Sequence, residues 1–487
     1  MVYTLTQSYF NPVRGVSYPE VDAAYVQLER NGFAVDTQYF NEQAKIARDD
    51  EEIQLRNLRV EAKDCFVSGT DDSEIDSTWS SPVKLKRLLH DDLKLDPSPI
   101  WQKGEVALWK GEVKTDATAL RYLRSTNPQY RPMLDGLLNL KRIRSSLKYL
   151  EKIPRFVQAD GLIHPIYGAG DDNDESSGTN SGRTVMKNPE GQQIPNSKDK
   201  DPYAIRKGFI APEGQVLVVR DYSAMEAVLL HAICLELFQD DSLADANTPT
   251  FHNENARKVF GEILKWKHPE TGRLLSEYSL EEYETDKYLK DRRRDAKTVF
   301  YGLQFCKSVR GFGWTLLDAS GNPVGERIAG DIVNGFITVR PAIRKFQDFV
   351  SEYLQSFRPE SPDYRRRVTP GVSDFVGRSR NVVDLLEEYV STGQCDWRFR
   401  KAWRQCCNHP EQAGGANIKS TAIVHCLRQG ILLQNEIHDE LVARCRPEEA
   451  EEVDRKLQWC MEETFALPAG VKLHTKGSVA KTWYDAK

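Results

Sequence analysis

The sequence predicts an α+β protein, and three observations along its 487 residues support that assignment. Residues 20–62 and 115–153 carry apolar side chains at three- and four-residue spacings, which is the period of a long amphipathic helix. The short apolar run 214–222 begins at a glycine and is typical of a buried strand. Two more apolar runs, 431–437 and 440–445, are separated by two residues, as in a hairpin. Helices and strands in this order favour α+β over an alternating α/β fold.

The remaining segments predict how these elements are connected. Residues 223–226 follow the first strand with the Ser-x-x-Glu spacing of a capping box, so a helix is expected to open there. Residues 166–195 are rich in Gly, Ser, Asn and Asp and are predicted to be a loop or a domain boundary. The pattern from 251 to 358 is mostly helical, with breaks expected at 311–313 and 321–323.

Composition excludes several classes of protein. Hydrophobic residues make up 40% and charged residues 29%, which rules out global disorder and fibrous repeats. No apolar run approaches the roughly 18 residues of a membrane span, and the first residues lack the pattern of a signal peptide. Nine cysteines without a CxxC spacing indicate neither a disulfide framework nor a zinc site. We therefore expect no membrane association and a cytoplasmic location, the host cytoplasm if the source is viral.

The distribution of charge is more informative than the net value of −5. Segment 141–156 has six basic residues and one acidic residue, and segment 291–310 has six basic and two acidic residues. Acidic excess lies elsewhere, at 41–76 and 448–463. A protein with basic stripes and acidic outer faces can still bind a polyanion such as nucleic acid.

Two aspartates stand where predicted strands end. Asp221 closes the first apolar run, and Asp439 lies between the two runs of the hairpin. Carboxylates from neighbouring strands could share a pair of Mg²⁺ ions, because Mg²⁺ prefers hard oxygen ligands together with substrate phosphates. Aspartates also end many strands without any such role, and spacing alone does not decide between the two interpretations.

One helical segment carries a more specific pattern. Arg293, Lys297, Tyr301 and Phe305 recur every four residues and form one slowly winding ridge on a helix. Two cations followed by two aromatic rings could bind a nucleotide from its phosphates to its base. A basic surface turn followed by core aromatics has the same spacing, so the pattern alone favours neither reading.

A family resemblance adds to these observations. The segment DYSAMEAVLLHA (221–232) resembles motif A of the family A DNA polymerases, RRDAKTVFYG (293–302) resembles motif B, and EIHDELV (436–442) resembles motif C. The three stand in the order of that family. Further similar segments surround them, including an Arg-x3-Asn-x3-Gln spacing at 404–412, so that the resemblance covers roughly residues 18 to 487.

The resemblance implies a right-hand polymerase fold with an antiparallel palm sheet and mostly helical fingers and thumb. The expected thumb is 18–155, the palm is 156–230 together with 400–487, and the fingers are 231–399. The stretch before residue 18 is too short for another domain, so we expect no exonuclease domain in this chain.

The resemblance also implies roles for particular residues. Asp221 and Asp439 would be ligands of two Mg²⁺ ions with the backbone carbonyl of Tyr222 beside them, Glu440 would have a secondary catalytic role, and Lys297 would be a general acid. The implied nucleotide contacts are Glu226, His252, Arg293, Lys297, Tyr301 and Phe305. The implied primer and template contacts are Arg183, Gln192, Arg404, Asn408, Gln412 and His438.

The implied function is template-directed DNA synthesis without proofreading, with primer-template DNA and dNTPs as partners and a monomeric chain. A separate exonuclease or processivity factor is left open as a further partner. Two alternatives remain at this point: a single-subunit RNA polymerase, and a catalytically silent DNA-binding module. Glu226 beneath the ribose argues against the first, and the retention of both aspartates with Arg293 and Lys297 argues against the second.

Overall fold

The structure, a computed structural model, describes residues 16–95, 115–169, 181–195, 201–318, 320–360, 371–373 and 379–486. The helices are α1 Tyr18–Asn31, α2 Thr37–Glu61, α3 Asp72–Ser80, α4 Pro82–Lys86, α5 Ala117–Thr126, α6 Arg131–Lys152, α7 Met225–Phe238, α8 Phe251–Ala256, α9 Glu282–Thr285, α10 Lys287–Gln304, α11 Val309–Thr315, α12 Gly325–Val339, α13 Pro341–Gln355, α14 Val383–Thr392, α15 Trp397–Arg428 and α16 Ala450–Glu462. The strands are β1 Phe33–Val35, β2 Leu162–Ile163, β3 Ile166–Ala169, β4 Thr184–Lys187, β5 Phe209–Ile210, β6 Val216–Tyr222, β7 Gly371–Ser373, β8 Ser379–Asn381, β9 Leu432–Ile437, β10 Glu440–Cys445 and β11 Thr475–Ala480.

The predicted α+β class is confirmed by an antiparallel sheet of four strands in the order β11-β6-β10-β9, surrounded by helices. The strand predicted at 214–222 is β6, and the hairpin predicted at 431–445 is β9 with β10; β6 and β10 are the two central strands, and β9 lies at one edge. A second antiparallel sheet, in the order β2-β1-β5, lies nearby through the pairing of β1 with β2 and β5.

The first four residues of strand β6, Val216 to Val219, are apolar and buried because both faces of the sheet are covered here. Val218 and Tyr222 belong to the largest core cluster, which extends through α7, α10 and α15. Leu217 and Val219 face a second cluster that contains Trp483 and the aromatic residues of the small sheet. The last residue but one of this buried strand is Asp221, which is exposed.

A third core cluster joins the helices near the N-terminus, α2 through α6. Helices α2 and α6 run along each other, and Gly136 on α6 lies at their closest approach. A Cβ atom added there would come within 2.7 Å of a methyl carbon of Leu58, so a larger residue would require the side chains of α2 to shift. This packing gives residues 141–156 a buried side as well as the basic side that the sequence shows.

The two long helices predicted at 20–62 and 115–153 are each interrupted. Gly32, with a left-handed φ of 58°, ends α1, and β1 follows before Asp36 caps α2 by accepting a hydrogen bond from the Tyr39 amide. In the second segment α5 ends at Asn127, and Pro128 starts a short 3-10 turn before α6. Apolar spacing continues across both breaks, and for that reason periodicity did not reveal them.

Two other expectations also need correction. No break occurs at Gly311–Gly313, which lies inside α11. A Cβ atom on Gly313 would come within 2.8 Å of the backbone at Gly325, so this glycine allows α11 and α12 to pack closely. The segment 166–195 is not wholly a loop, since β3 and β4 pair at its two ends. Residues 170–180 of that segment lie outside the described residues.

All nine cysteines are free thiols, in agreement with the absence of a disulfide framework. In the part of the chain that the structure describes, no helix combines the length and the apolar character needed to cross a bilayer.

Candidate active site

The register of the central sheet brings the two predicted acidic residues together. Asp221 on β6 lies opposite Glu440 on β10, and Asp439 immediately precedes Glu440 in the turn of the hairpin. The Tyr222 amide donates a hydrogen bond to the Asp439 carbonyl at 3.0 Å. The two strands therefore hold both aspartates at the same edge of the sheet, although they are more than 200 residues apart in sequence.

The electrostatics of this edge suit a divalent cation. Burial, together with the negative charges of Glu226 and Asp221, raises the pKa of Asp439 to about 8. The ionised carboxylates thus repel one another, and a bound cation would relieve that repulsion. Their oxygen donors fit Mg²⁺. Within the described ranges no group of three or more His, Cys, Asp or Glu side chains is arranged to hold a metal ion, so the candidate ligands are these two aspartates with backbone and substrate oxygens.

A buried polar network supports the turn that carries Asp439. Lys419 on α15 donates to the His438 carbonyl at 2.7 Å and pairs with Glu436, whose side chain is fully buried. The Thr184 hydroxyl lies 2.8 and 2.7 Å from the two oxygens of that same carboxylate. His438 adopts a left-handed φ of 50°, which is uncommon outside glycine and is held here by these contacts. This explains how His-Asp, an unusual turn pair, closes the hairpin.

Glu226 lies on the first turn of α7, close to the two aspartates. Its Oε1 accepts a hydrogen bond from Arg183 Nη2 at 2.6 Å, and its side chain is only 13% exposed. The capping box predicted with Ser223 is not formed, because the residue before the helix is Ala224 in a left-handed conformation with no side-chain cap. The Glu226 carboxylate therefore takes no part in a helix cap. It forms an ion pair with Arg183, a residue predicted to contact DNA.

The ridge predicted on the motif B segment lies on α10. Asp286 caps this helix by accepting a hydrogen bond from the Leu289 amide at 2.9 Å. The Tyr301 ring packs edge-on against His252, with ring centres 5.6 Å apart, and Lys297 Nζ lies 6.0 Å from the Tyr301 ring centre. Burial and the nearby charges of Lys297 and Arg293 lower the pKa of His252 to about 3, so this imidazole is neutral at neutral pH.

Arg293, the first cation of the ridge, is held by a short polar chain. Its Nε donates to Asn253 Oδ1 at 2.7 Å and lies 3.1 Å from Glu284 Oε1. Asn253 in turn donates to Glu284 at 2.8 Å. The acidic patch at 281–286 thus provides both the cap of α10, through Asp286, and an ion-pair partner for Arg293, neither of which the sequence indicated.

Tyr301 connects the acidic and the basic parts of the site. Its ring contacts His252 and faces Lys297, while burial and the negative charges of Glu226, Asp439 and Asp221 raise the pKa of its hydroxyl. The three acidic groups and Lys297 are therefore all near one tyrosine. Such an arrangement can bind a ligand whose phosphates pair with the cations of α10 and whose sugar lies near the carboxylates.

Phe305 lies one helical turn beyond Tyr301, at the C-terminal end of α10. It lines a cavity of about 810 Å³ together with Lys307, Arg310, Trp403 and Arg404. Basic and aromatic side chains that line one cavity are typical of a surface that binds single-stranded nucleic acid.

The predicted DNA contacts lie on several elements. Arg404, Asn408 and Gln412 are spaced by four residues on α15, with Arg404 exposed and the other two half-buried, so they follow one accessible side of the helix. His438 is exposed beside Asp439. Gln192 donates to the Thr184 carbonyl at 2.7 Å, on the strand that follows Arg183.

Glu440 is buried and differs in its surroundings from its neighbour Asp439. Its Oε1 accepts a hydrogen bond from the Trp483 indole and lies 3.9 Å from Arg206 Nη1, and Arg206 stacks over the Trp483 ring. Glu440 thus ties β10 to the C-terminal segment, and the secondary catalytic role expected for it stays a prediction.

The residues that the sequence did not reveal are mainly interaction partners: the buried pairs Lys419 with Glu436 and Gln304 with Glu411, and the exposed Glu284 beside Arg293. The only signal in the sequence was the placement of charged or polar residues within apolar helical stretches, as for Glu411 and Lys419 on α15.

The fold and the site define the class of protein. The chain has the right-hand polymerase fold: it superposes on the POL domain of Pol1 from M. smegmatis, in complex with DNA primer-template and dNTP, with a TM-score of 0.71. That likeness covers 96% of this chain and 70% of the other, at 21% sequence identity. The predicted fold class is thereby confirmed.

The family follows from the sequence comparisons. The family model "DNA polymerase family A" matches residues 52–485, and the chain belongs to this family, as its motifs indicated. It is 26% identical over 84% of its length to the thermostable DNA polymerase I of Thermus filiformis, and 24% identical over 97% of its length to DNA polymerase I of Caldicellulosiruptor bescii. The aligned regions are 42% and 47% of those relatives, so the chain spans less than half of their length.

Proposed function

We propose that this chain is a template-directed DNA polymerase that adds dNTPs to a primer 3′-hydroxyl and releases pyrophosphate. The observation that carries the proposal is that Tyr301 is near both kinds of charge: it is within electrostatic range of the carboxylates of Glu226, Asp439 and Asp221, and its ring centre lies 6.0 Å from Lys297 Nζ. Membership of DNA polymerase family A supports it. The relative whose polymerase domain has this fold was solved with DNA primer-template and dNTP, and we propose the same partners here.

Asp221 and Asp439, with the Tyr222 carbonyl, would hold two Mg²⁺ ions. When bound, such ions activate the attacking oxygen and stabilise the leaving one. The residues of the chain contribute positioning and charge. Arg293, Lys297 and the neutral His252 bind the triphosphate, and Lys297 donates a proton to the departing pyrophosphate.

The ribose and the base are bound by the remaining residues. Glu226, held by Arg183, closes the pocket beneath the sugar, Tyr301 lines its edge, and Phe305 stacks near the templating base. Arg183, Gln192, Arg404, Asn408, Gln412 and His438 contact primer and template, which places the DNA along α15 and the hairpin turn. The proposed division into thumb 18–155, palm 156–230 with 400–487, and fingers 231–399 assigns the four-stranded sheet and its aspartates to the palm.

Primer extension with purified protein tests this proposal. Extension of a labelled primer with dNTPs and Mg²⁺, dependent on template, is expected, and rNTPs should be poor substrates. Extension with rNTPs instead would favour the RNA polymerase alternative. Template binding without extension by either set of nucleotides would favour a silent binding module.

Truncating Glu226 to Ala should admit ribonucleotides, because the carboxylate leaves no room for a 2′-hydroxyl. We expect the preference for dNTP over rNTP, as the ratio of kcat/KM values, to fall by roughly 10- to 100-fold. Glu226→Gln is the matched control: it keeps the size of the side chain but not the charge paired with Arg183. Loss of selectivity in both variants would show that the Arg183 ion pair, and not the bulk of Glu226, sets the preference.

Tyr301→Phe should make the chain resistant to dideoxynucleotides. A dideoxynucleotide lacks the 3′-hydroxyl and leaves a gap that the phenolic hydroxyl can fill with a hydrogen bond, which Phe cannot make. That bond is worth about 1.5–3 kcal/mol, or roughly 10- to 150-fold in selectivity. The measurement is the ratio of kcat/KM for ddNTP and dNTP in the two proteins. Strong discrimination by the wild-type chain would contradict this placement of the Tyr301 hydroxyl.

We also propose that the chain does not proofread. A labelled primer with a 3′-terminal mismatch, incubated with the chain and Mg²⁺, should keep its length with or without dNTPs. Shortening of the primer would reveal a nuclease site that the sequence did not indicate.

A further inference from the structure

Gln304, the last residue of α10, connects three elements of the site. Its side-chain Nε2 donates to the backbone carbonyl of Glu226 on α7 at 2.6 Å. The same nitrogen donates to Glu411 Oε2 on α15 at 2.6 Å. Gln304 is 2% exposed and Glu411 is fully buried. One amide group therefore joins the helix of the cationic ridge to the residue beneath the sugar and to the helix of the predicted DNA contacts.

Glu411 is a buried acid that the proposed chemistry does not use. Burial, and in the same direction the charge of Glu226, raises its pKa well above the ordinary value for a carboxyl group. This shift favours the protonated acid, and Glu411 Oε2 accepts the hydrogen bond from Gln304. The other oxygen of Glu411 and the oxygen of Gln304 have no hydrogen-bond partner within the described part of the chain.

The Gln304–Glu411 pair does not maximise the stability of the core. Two buried polar groups with unsatisfied oxygens contribute less stability than apolar side chains of the same size would, since each unsatisfied atom has lost its hydrogen bonds to water. What the pair does provide is direction: the Glu226 carbonyl and α10 are joined by a hydrogen bond that defines both distance and angle. Apolar packing is non-directional and would define neither the distance nor the angle in this way.

We propose that Gln304 and Glu411 are positioning residues that fix α10 relative to Glu226 and so determine how strictly the site selects the sugar of the incoming nucleotide. Glu411 orients the Gln304 amide, and the amide holds the backbone of Glu226, whose side chain lies beneath the ribose. The inference rests on the proposed polymerase function. It adds to that function a selectivity determinant that touches neither substrate nor metal.

The test compares kcat/KM for dNTP and rNTP in the wild-type chain and three variants. Glu411→Gln keeps an oxygen acceptor of the same size without any charge and should remain within about twofold of wild type. Gln304→Leu removes both hydrogen bonds, and the preference for dNTP should fall by about tenfold. The double variant Gln304→Leu with Glu411→Met should show the same loss as Gln304→Leu alone, because the two residues act as one unit.

Thermal unfolding and primer-template affinity are measured in parallel. The double variant should fold at least as stably as Gln304→Leu, since both polar partners are replaced together. Three outcomes would overturn the proposal: wild-type selectivity in a folded double variant, a loss in Glu411→Gln as large as in Gln304→Leu, or a double variant that does not fold. If the wild-type chain fails to extend a primer with dNTPs, the polymerase assignment itself fails, and this proposal fails with it.

Discussion

Asp221→Asn and Asp439→Asn should each abolish nucleotide addition, with kcat lowered by roughly 10³-fold or more, since the charge stabilisation that the site supplies is worth several kcal/mol. The two residues share one edge of the sheet through the pairing of β6 with β10, so each change removes half of the acidic charge offered to Mg²⁺. Binding of primer-template should remain within about threefold of wild type, because backbone phosphates are held by Arg and Lys elsewhere.

Single-turnover extension and fluorescence anisotropy measure the two effects separately. Asp22→Asn, at an exposed aspartate on α1, is the matched control and should leave both unchanged. Normal turnover by either active-site variant would remove that aspartate from the metal site. A parallel loss of DNA binding would indicate a damaged fold.

The second large effect is expected on stability. Lys419→Met should lower the free energy of unfolding by about 3–5 kcal/mol, because it leaves the fully buried Glu436 carboxylate without its cation. Turnover should fall as well, since the His438 carbonyl loses its donor and the turn beside Asp439 is released. Urea denaturation measures the first effect and primer extension the second.

The double variant Lys419→Met with Glu436→Gln is the informative control. Removing both charges should recover most of the lost stability, as for other buried ion pairs replaced together. Turnover should not recover, because the donor to the turn is still missing. A loss of less than about 1 kcal/mol in Lys419→Met would show that Glu436 is satisfied without the lysine.

The sequence predicted those parts of the fold that depend on local patterns. The strands β6, β9 and β10 were predicted as short runs between turn residues, and β9 pairs with β10 as the predicted hairpin. Periodicity failed at Gly32 and at Asn127-Pro128, because the apolar spacing continues on the far side of each break. It also failed at Gly311–Gly313, where glycine serves close packing of two helices and not a turn.

The site was predictable to the extent that its residues belong to motifs. What remained hidden are contacts between residues far apart in the chain, such as Thr184 with Glu436 and Gln304 with Glu411. The capping box predicted for Ser223 shows the limit of a local rule: Glu226 pairs instead with Arg183, which lies 43 positions earlier. The helix begins one residue later than the capping-box pattern predicts, after Ala224, and Glu226 forms a tertiary ion pair with Arg183.

The strand order of the central sheet has a consequence for how the protein is made. Strand β6 has no neighbour close in sequence: its partners β10 and β11 follow about 220 or more residues later. Contacts of such long range form slowly, since a long loop must close before any of them is gained. During synthesis β6, with Asp221 near its end, emerges without a partner strand while most of the remaining helices are still to be added. We therefore expect the sheet edge that carries Asp221 and Asp439 to form late in folding. Partly folded chains should be unable to bind Mg²⁺ at that edge.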